Sequence, residues 1–253
     1  MINKAKIKVV AGVIFNEKGE ILLASRPKSK IFADYWEFPG GKVEAEESDF
    51  AALVREFNEV TGLIINDAES WLHIITERED AIIYLHFFRI RYGSWSGNLQ
   101  ARENQNFVRQ NPQNINVSPI LPNNEIIIHA LQLPEKLSGG INGIYDENNR
   151  FYALPYERLH LAENAAELIN YQGKSFTLHA EKFWATVRSI SDIHDLPDAE
   201  AFIWLGSKEN FNLAAQQGFS QPVYFACKKF SGSLKNIGAH GIILWQENDI
   251  QAA

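Results

Sequence analysis

Two glutamates, Glu56 and Glu59, stand three residues apart in a segment with helical periodicity. At roughly 100° per residue their carboxylates fall on adjacent turns of one surface, away from an apolar side made by Phe50, Leu53, Val54 and Phe57. Neighbouring carboxylates repel unless a cation lies between them, and hard oxygen ligands of this kind suit Mg²⁺ or Mn²⁺. The same pair also reads as the solvated outer face of an ordinary amphipathic helix. The limits of the segment are set by its own residues. Ser48 is a suitable N-cap, Asp49 suits the positive end of the helix dipole, and Gly62 is placed to stop the helix after about Val60. Upstream, Trp36-Glu37-Phe38 leads into Pro39-Gly40-Gly41, read as a sharp turn whose glycines allow backbone angles closed to other residues. Such a turn beside the helix offers a backbone carbonyl as a further metal ligand.

The wider spacing separates these readings. Five residues lie between Gly41 and Glu47, and seven between Glu47 and Arg55-Glu56; Phe57-Asn58-Glu59-Val60-Thr61-Gly62-Leu63 follows. This run resembles the Nudix box, G-x5-E-x7-R-E-U-x-E-E-x-G-U with U apolar. Gly41, Glu47, Arg55, Glu56, Phe57, Glu59, Gly62 and Leu63 match it. Val60 departs, standing where the family has a second glutamate one turn after Glu56, so the site has one anionic ligand fewer. Two shorter stretches extend the resemblance toward the MutT type. Glu103-Asn104-Gln105 is similar to an E-G-Q loop, and Pro119–Leu131, PILPNNEIIIHAL, is similar to the ending of that domain.

The resemblance implies an α/β/α sandwich with a mixed sheet. It implies a Mg²⁺-dependent nucleoside triphosphate pyrophosphohydrolase, with Mn²⁺ as a possible substitute and an oxidised guanine nucleotide such as 8-oxo-dGTP as substrate. Glu56, Glu59 and Arg55 would be catalytic; Gly40, Glu56, Glu59 and Glu103 would hold the metal. Arg26, Glu37, Phe38, Pro39, Gly40 and Asn124 would hold the nucleotide. Taken without the resemblance, Asn124 reads as a helix cap and Arg26 as a solvated strand end. The alternative function is a weakened Nudix domain that binds a nucleotide without turning it over.

The totals bound the rest. A chain of 253 residues that is 45% hydrophobic and 22% charged has room for one large globular domain or two ordinary ones. A formal net charge of −7 argues against a nucleic-acid binder, which would present a basic face. Cys227 is the single cysteine, so neither a disulfide framework nor a cysteine zinc site is expected. The first apolar run ends at Asn16-Glu17-Lys18, too short for a signal peptide or a membrane span, and a cytoplasmic location is expected.

Residues 6–15 and 21–26 read as strands around a turn at 16–20, and 70–77 with 81–90 as a hairpin. The first domain is expected to cover 1–134, followed by a glycine- and asparagine-rich linker at 135–149. Residues 150–253 read as a smaller βα-repeat domain: strands at 176–179, 201–205, 222–226 and 241–245, helices at 181–190 and 208–217, and a short helix after 226. The stretch 157–170 fits either a strand start or a helix. Alternation of this kind argues for a parallel sheet. The half faintly resembles the last part of thiamine phosphate synthase, which implies a shortened, degenerate portion of a (β/α)₈ barrel. Ala226-Cys227-Lys228 stands where that family has phosphate-holding glycines. His160, His179, His194 and His240 show no metal-ligand spacing.

Overall fold

The first strand, β1 (Ala5–Ile14), runs through the middle of a four-stranded sheet. The computed structural model describes residues 4–140, 143–153, 155–157, 168–171, 174–177, 184–194, 199–230 and 238–246. In chain order the first part continues with β2 (Ile21–Ser25), β3 (Trp36–Glu37), β4 (Gly40–Lys42), α1 (Asp49–Thr61), β5 (Ile64–Ile65) and β6 (Glu69–Glu77). It closes with β7 (Ala81–Ile90), β8 (Trp95–Ser96), β9 (Phe107–Gln110) and α2 (Pro122–Leu131). The sheet is mixed. β1 pairs in parallel with β7 over its whole length and antiparallel with β4, and β6 returns antiparallel to β7. A second sheet has the order β3-β2-β9, and β5 pairs with β8. So the two strands read around residues 16–20 join different sheets, linked only by a bridge from Phe15 to Ile21.

Alternation along β1 and β7 assigns their faces. Val10, Ile14, Phe88 and Ile90 form one core cluster with Ala52, Leu53 and Phe57 of α1. Phe87, one residue out of that phase, meets Phe38 edge to face with ring centroids 6.1 Å apart. Leu53 and Phe57 of the expected apolar side of α1 are fully buried. Ala52 is fully buried and Val60 is buried, whereas Phe50 is 40% exposed. Phe50 sits in the first turn of the helix. The caps follow the sequence: Ser48 Oγ accepts from Ala51 N at 3.2 Å, and Gly62 ends the helix at φ 73°, open to glycine at little cost. Gly40 and Gly41 correct the reading of a strained turn. They are strand residues without positive φ, and what they supply is space, as described below.

The chain divides into two compact units, Met1–Leu133 and Pro134–Ala253. The stretch read as a linker is strand: β10 (Lys136–Gly140) and β11 (Gly143–Tyr145) form a tight antiparallel pair, continued by β12 (Phe151–Ala153). Gly139, Gly140 and Gly143 are strand residues, and Asn148 and Asn149 lie in the turn between β11 and β12. β13 (Pro155–Glu157) precedes an antiparallel pair, β14 (Leu168–Tyr171) and β15 (Lys174–Thr177). Then come β16 (Trp184–Val187), α3 (Ile190–His194), β17 (Ala201–Trp204), α4 (Lys208–Gln217), β18 (Val223–Cys227) and β19 (Gly241–Trp245). The sheet order is β12-β11-β10-β19-β18-β17-β16-β13, and every pairing from β10 to β13 is parallel. The last strand thus returns to the first, and the sheet is nearly closed. The helix expected at 181–190 is overturned by β16: Trp184, Ala185, Thr186 and Val187 are all buried, which favours a strand of aromatic and β-branched residues inside a parallel sheet. The helix expected after 226 and most of the ambiguous stretch 157–170 lie outside the described residues. Among the described residues no helix is long and apolar enough to cross a membrane.

Candidate functional site

The site grows from the meeting of β4 and α1. Helix α1 presents Arg55, Glu56 and Glu59 on the side opposite Leu53 and Phe57. Arg55 organises this surface. Its Nη1 donates to Glu56 Oε1 at 2.9 Å and to Glu59 Oε2 at 3.1 Å. Its Nε and Nη2 hold both oxygens of Glu47 at 3.0 and 2.9 Å, and Nη2 also reaches the Lys42 carbonyl at 2.9 Å. A guanidinium is suited to this, offering five donors in a fixed plane. These partners push the Arg55 pKa further up, while Arg55 and the Glu44 backbone N–H hold the Glu47 carboxyl below its usual range. The result is two carboxylates, Glu56 and Glu59, brought to one donor atom and fixed in orientation. The Glu56 carboxylate lies directly against Gly41, where a Cβ would collide with it. A Cβ at Gly40 would likewise collide with the Val10 carbonyl of β1. Gly40 and Gly41 are there because side chain and backbone come too close for anything larger.

A Mg²⁺ ion that serves phosphate chemistry keeps several waters and takes one or two protein carboxylates together with substrate phosphates. Glu56 and Glu59 beside the Gly40-Gly41 backbone suit that mode of binding. Among the described residues no trio of His, Cys, Asp or Glu side chains converges as a complete protein cage. Glu103 stands apart. Its carboxylate is half exposed, with its ion-pair partner Lys30 Nζ at 3.9 Å. Asn104, in the position of the family's glycine, has φ 59°. Asparagine is among the few other residues that take this left-handed conformation readily, so the substitution keeps the loop's shape.

The residues expected to hold a nucleotide lie on β3, on the residues that join it to β4, just after β2, and on α2. β2 and β3 pair so that Ala24 faces Glu37, which brings the Arg26 guanidinium onto the Glu37 carboxylate. Arg26 is further tied to the Ile31 carbonyl at 2.9 Å, so it is not a free strand end. Burial raises the Glu37 pKa, against the opposing pull of Arg26. Phe38 is buried and its backbone N–H donates to Asn124 Oδ1 at 2.8 Å. The Pro39 carbonyl accepts from Gly12 N at 2.9 Å. Asn124 is therefore no helix cap. The cap position of α2 is Leu121, with no side-chain bond, and Asn124 fixes strand to helix with its oxygen while its Nδ2 has no partner among the described residues. The oxygen's engagement orients that amide.

Three features escaped the sequence reading. Gln105 is buried, with its carboxamide bonded at both ends; its place two residues after Glu103 was the available signal. Asn123 pairs with Thr76 across α2 and β6 at 3.2 Å. On the α1 face, His86 joins Asp49 Oδ2 through Nδ1 and Ser70 Oγ through Nε2, both at 2.8 Å, with the His73 ring 3.9 Å away. These last residues are far apart in sequence, and only the pairing of β6 with β7, His73 against His86, brings them to the N-terminus of α1.

A family model described as the NUDIX domain matches residues 5–117. The CTP pyrophosphohydrolase of Escherichia coli (strain K12) is 40% identical over 116 residues, covering 46% of this chain and 84% of that protein. An 8-oxo-dGTP diphosphatase of Haemophilus influenzae is 35% identical over 129 residues, covering 51% of this chain and 93% of that one. The 8-oxo-dGTP diphosphatase of Escherichia coli (strain K12) is 30% identical over 127 residues, covering 50% and 97%. At that identity, over nearly the whole of each relative, this chain belongs to the Nudix family.

Proposed function

We propose that the unit Met1–Leu133 is a Mg²⁺-dependent nucleoside triphosphate pyrophosphohydrolase that releases pyrophosphate and a nucleoside monophosphate, with 8-oxo-dGTP as the first substrate to test. The observation that carries this reading is the single Arg55 Nη1 that gathers Glu56 and Glu59 next to Gly41. It is supported by relatives named for the hydrolysis of CTP and of 8-oxo-dGTP. Glu56 and Glu59, the Gly40 carbonyl and Glu103 would hold the cation, which when bound neutralises phosphate oxygens and lowers the pKa of a bound water. Glu56, the more enclosed of the two helix carboxylates, is placed to take a proton from the attacking water. Arg55 keeps both carboxylates aimed. The buried Phe38 anchors Asn124 through its backbone N–H, and Asn124 Nδ2 offers a donor to a base edge. The Arg26–Glu37 pair stands where β2 meets β3 and supplies both a donor and an acceptor. Pyrophosphate release from a panel of triphosphates and nucleoside diphosphate derivatives, with and without Mg²⁺, tests this. Turnover independent of Mg²⁺ would overturn it.

A second reading is a nucleotide-binding domain with weakened turnover, favoured by Val60. Its side chain is buried where the family box carries a glutamate, so position 60 gives no oxygen to a cation. Tight Mg²⁺-dependent nucleotide binding without pyrophosphate release would select this reading. For Pro134–Ala253 we propose a shortened thiamine phosphate synthase-like domain without synthase activity. The parallel succession β16 to β19 and the return of β19 to β10 support it, and Ala226-Cys227-Lys228 supports the loss of activity. Thiamine phosphate formed from its two precursors would contradict it.

A further inference from the structure

The last turn of an α-helix leaves its final carbonyls without helical partners. In α1 those of Val60 and Thr61 are taken up by one segment, residues 100–105, which also shares the Asn58 carbonyl with its helical donor, Gly62 N at 3.1 Å. Gln100 N donates to the Thr61 carbonyl at 2.8 Å and Arg102 N to the Val60 carbonyl at 3.4 Å. Arg102 Nη1 reaches the Asn58 carbonyl at 2.7 Å. The last turn of α1 has no basic residue of its own, so Arg102 also supplies the cation that the negative helix end favours. Gln105 completes the join. It is 4% exposed, its Nε2 donates to the Val60 carbonyl at 3.2 Å, and its Oε1 accepts from the backbone N–H of Glu103 at 2.9 Å. One end of the carboxamide must donate and the other accept, so its orientation is fixed.

We propose that Gln105 is a positioning residue: it ties the backbone of Glu103 to the turn of α1 that carries Glu59, and thereby sets how tightly a divalent cation is held. The inference rests on the cation reading given above. Arg55 already fixes the two helix carboxylates, whereas the Glu103 side chain is exposed and pairs with Lys30 across 3.9 Å. What brings Glu103 to the helix is its main chain, and the contact that holds its own N–H is Gln105. Groups behind a metal ligand of this kind change affinity by about 10–100-fold when removed.

The test is a double-mutant cycle read on Mn²⁺ affinity, measured by electron paramagnetic resonance with the metal alone, on the full chain. Gln105→Met keeps the volume and removes both bonds. It is expected to weaken Mn²⁺ about tenfold and to expose the Glu103 amide to hydrogen exchange in the metal-free protein. In a Glu103→Gln background it should weaken Mn²⁺ no further. If Gln105→Met fails to fold, Gln105→Glu retains the acceptor for Glu103, removes the donor to Val60, and enters the same cycle. Three results would overturn the proposal: unchanged affinity in the Gln105 variant, equal weakening in both backgrounds, or wild-type affinity indifferent to Glu103→Gln. An intact cycle in a protein that hydrolyses no nucleotide would sink the proposed reaction and leave the strut standing.

Discussion

In Met1–Leu133 several buried and half-buried polar side chains are bonded across elements. Arg55 spans Glu47, Glu56 and Glu59; Asn124 holds Phe38; Gln105 joins a loop to a helix end. In Pro134–Ala253 the largest buried groups are aromatic. Trp184 stacks on Tyr224 with centroids 5.1 Å apart, and Trp204, Phe219 and Phe225 surround Phe211. Polar groups fixed in direction cost desolvation, and that cost makes sense where a charged ligand is to be met. Aromatic packing stabilises a sheet without such direction. One unit is arranged around a place for chemistry, and the described part of the other around its own interior.

The comparison breaks if the two units respond alike to substitution. Glu56→Gln is expected to lower Mg²⁺-dependent pyrophosphate release by about 10²–10⁴-fold, the usual range for a lost general base, with an unchanged melting temperature. Wild-type turnover would remove Glu56 from the mechanism. Trp184→Ala should do the reverse. Truncating a fully buried tryptophan costs about 3–5 kcal/mol. Limited proteolysis should then cut within Pro134–Ala253 while turnover per intact first unit stays at the wild-type level. Loss of turnover in step with that cutting would show that the units are not energetically separate.

How far the sequence reached differs between the units for the same physical reason. Around residues 36–63, cap, stop and box residues are local signals, and spacing on one helix sufficed to place Arg55, Glu56 and Glu59 together. The roles of Gly40 and Gly41 were misjudged because close approach to Val10 and Glu56 depends on a strand and a helix meeting, which spacing does not reveal. Asn124 was left between a cap and a ligand contact; its partner is the backbone of Phe38, 86 positions away. In the second unit a four-residue buried strand such as β16 has no period to read, and 135–149 carries the glycines and asparagines typical of a tether although β10 and β11 lie within it.

Val60→Glu sharpens the comparison at the weakest point of the first unit. Position 60 is buried one turn after Glu56, beside a carboxylate already pressed against Gly41. Without metal, a further charge there is expected to cost about 2–3 kcal/mol, as buried unpaired charges do. With Mg²⁺ the melting temperature should rise more steeply than in the wild type, and half-maximal activity should need less metal, because a third carboxylate would converge on the same cation. A lower melting temperature with no metal response would mean that position 60 belongs to the core alone, and the binding-only reading would then be preferred.

The smallest expected effect is that of acid on the α1 face. Burial lowers the pKa of both His73 and His86, and that of His73 falls to about 4, with the neighbouring His86 adding to the shift. Asp49 pulls both upward, and Lys8 opposes it at His86. A histidine whose folded pKa is depressed binds its proton more readily in the unfolded chain, where the value is about 6.5. The contribution is therefore fully present above pH 6.5 and is lost progressively as the pH falls toward 4. His73 keeps some exposure, so the loss between pH 7.5 and 5.5 is discounted to about 1 kcal/mol or less, or roughly 2–3 °C in melting temperature. Other groups titrate in that range, so the measurement is a difference: the wild type should lose more than His73→Gln over the same interval. His86 would remain bonded to Asp49 and Ser70 in that variant, and would carry what acid sensitivity is left. Equal losses in the two proteins would show that the ring of His73, tilted against His86, takes up its proton without strain, and that this face of the first unit is packed no differently from solvent-exposed surface.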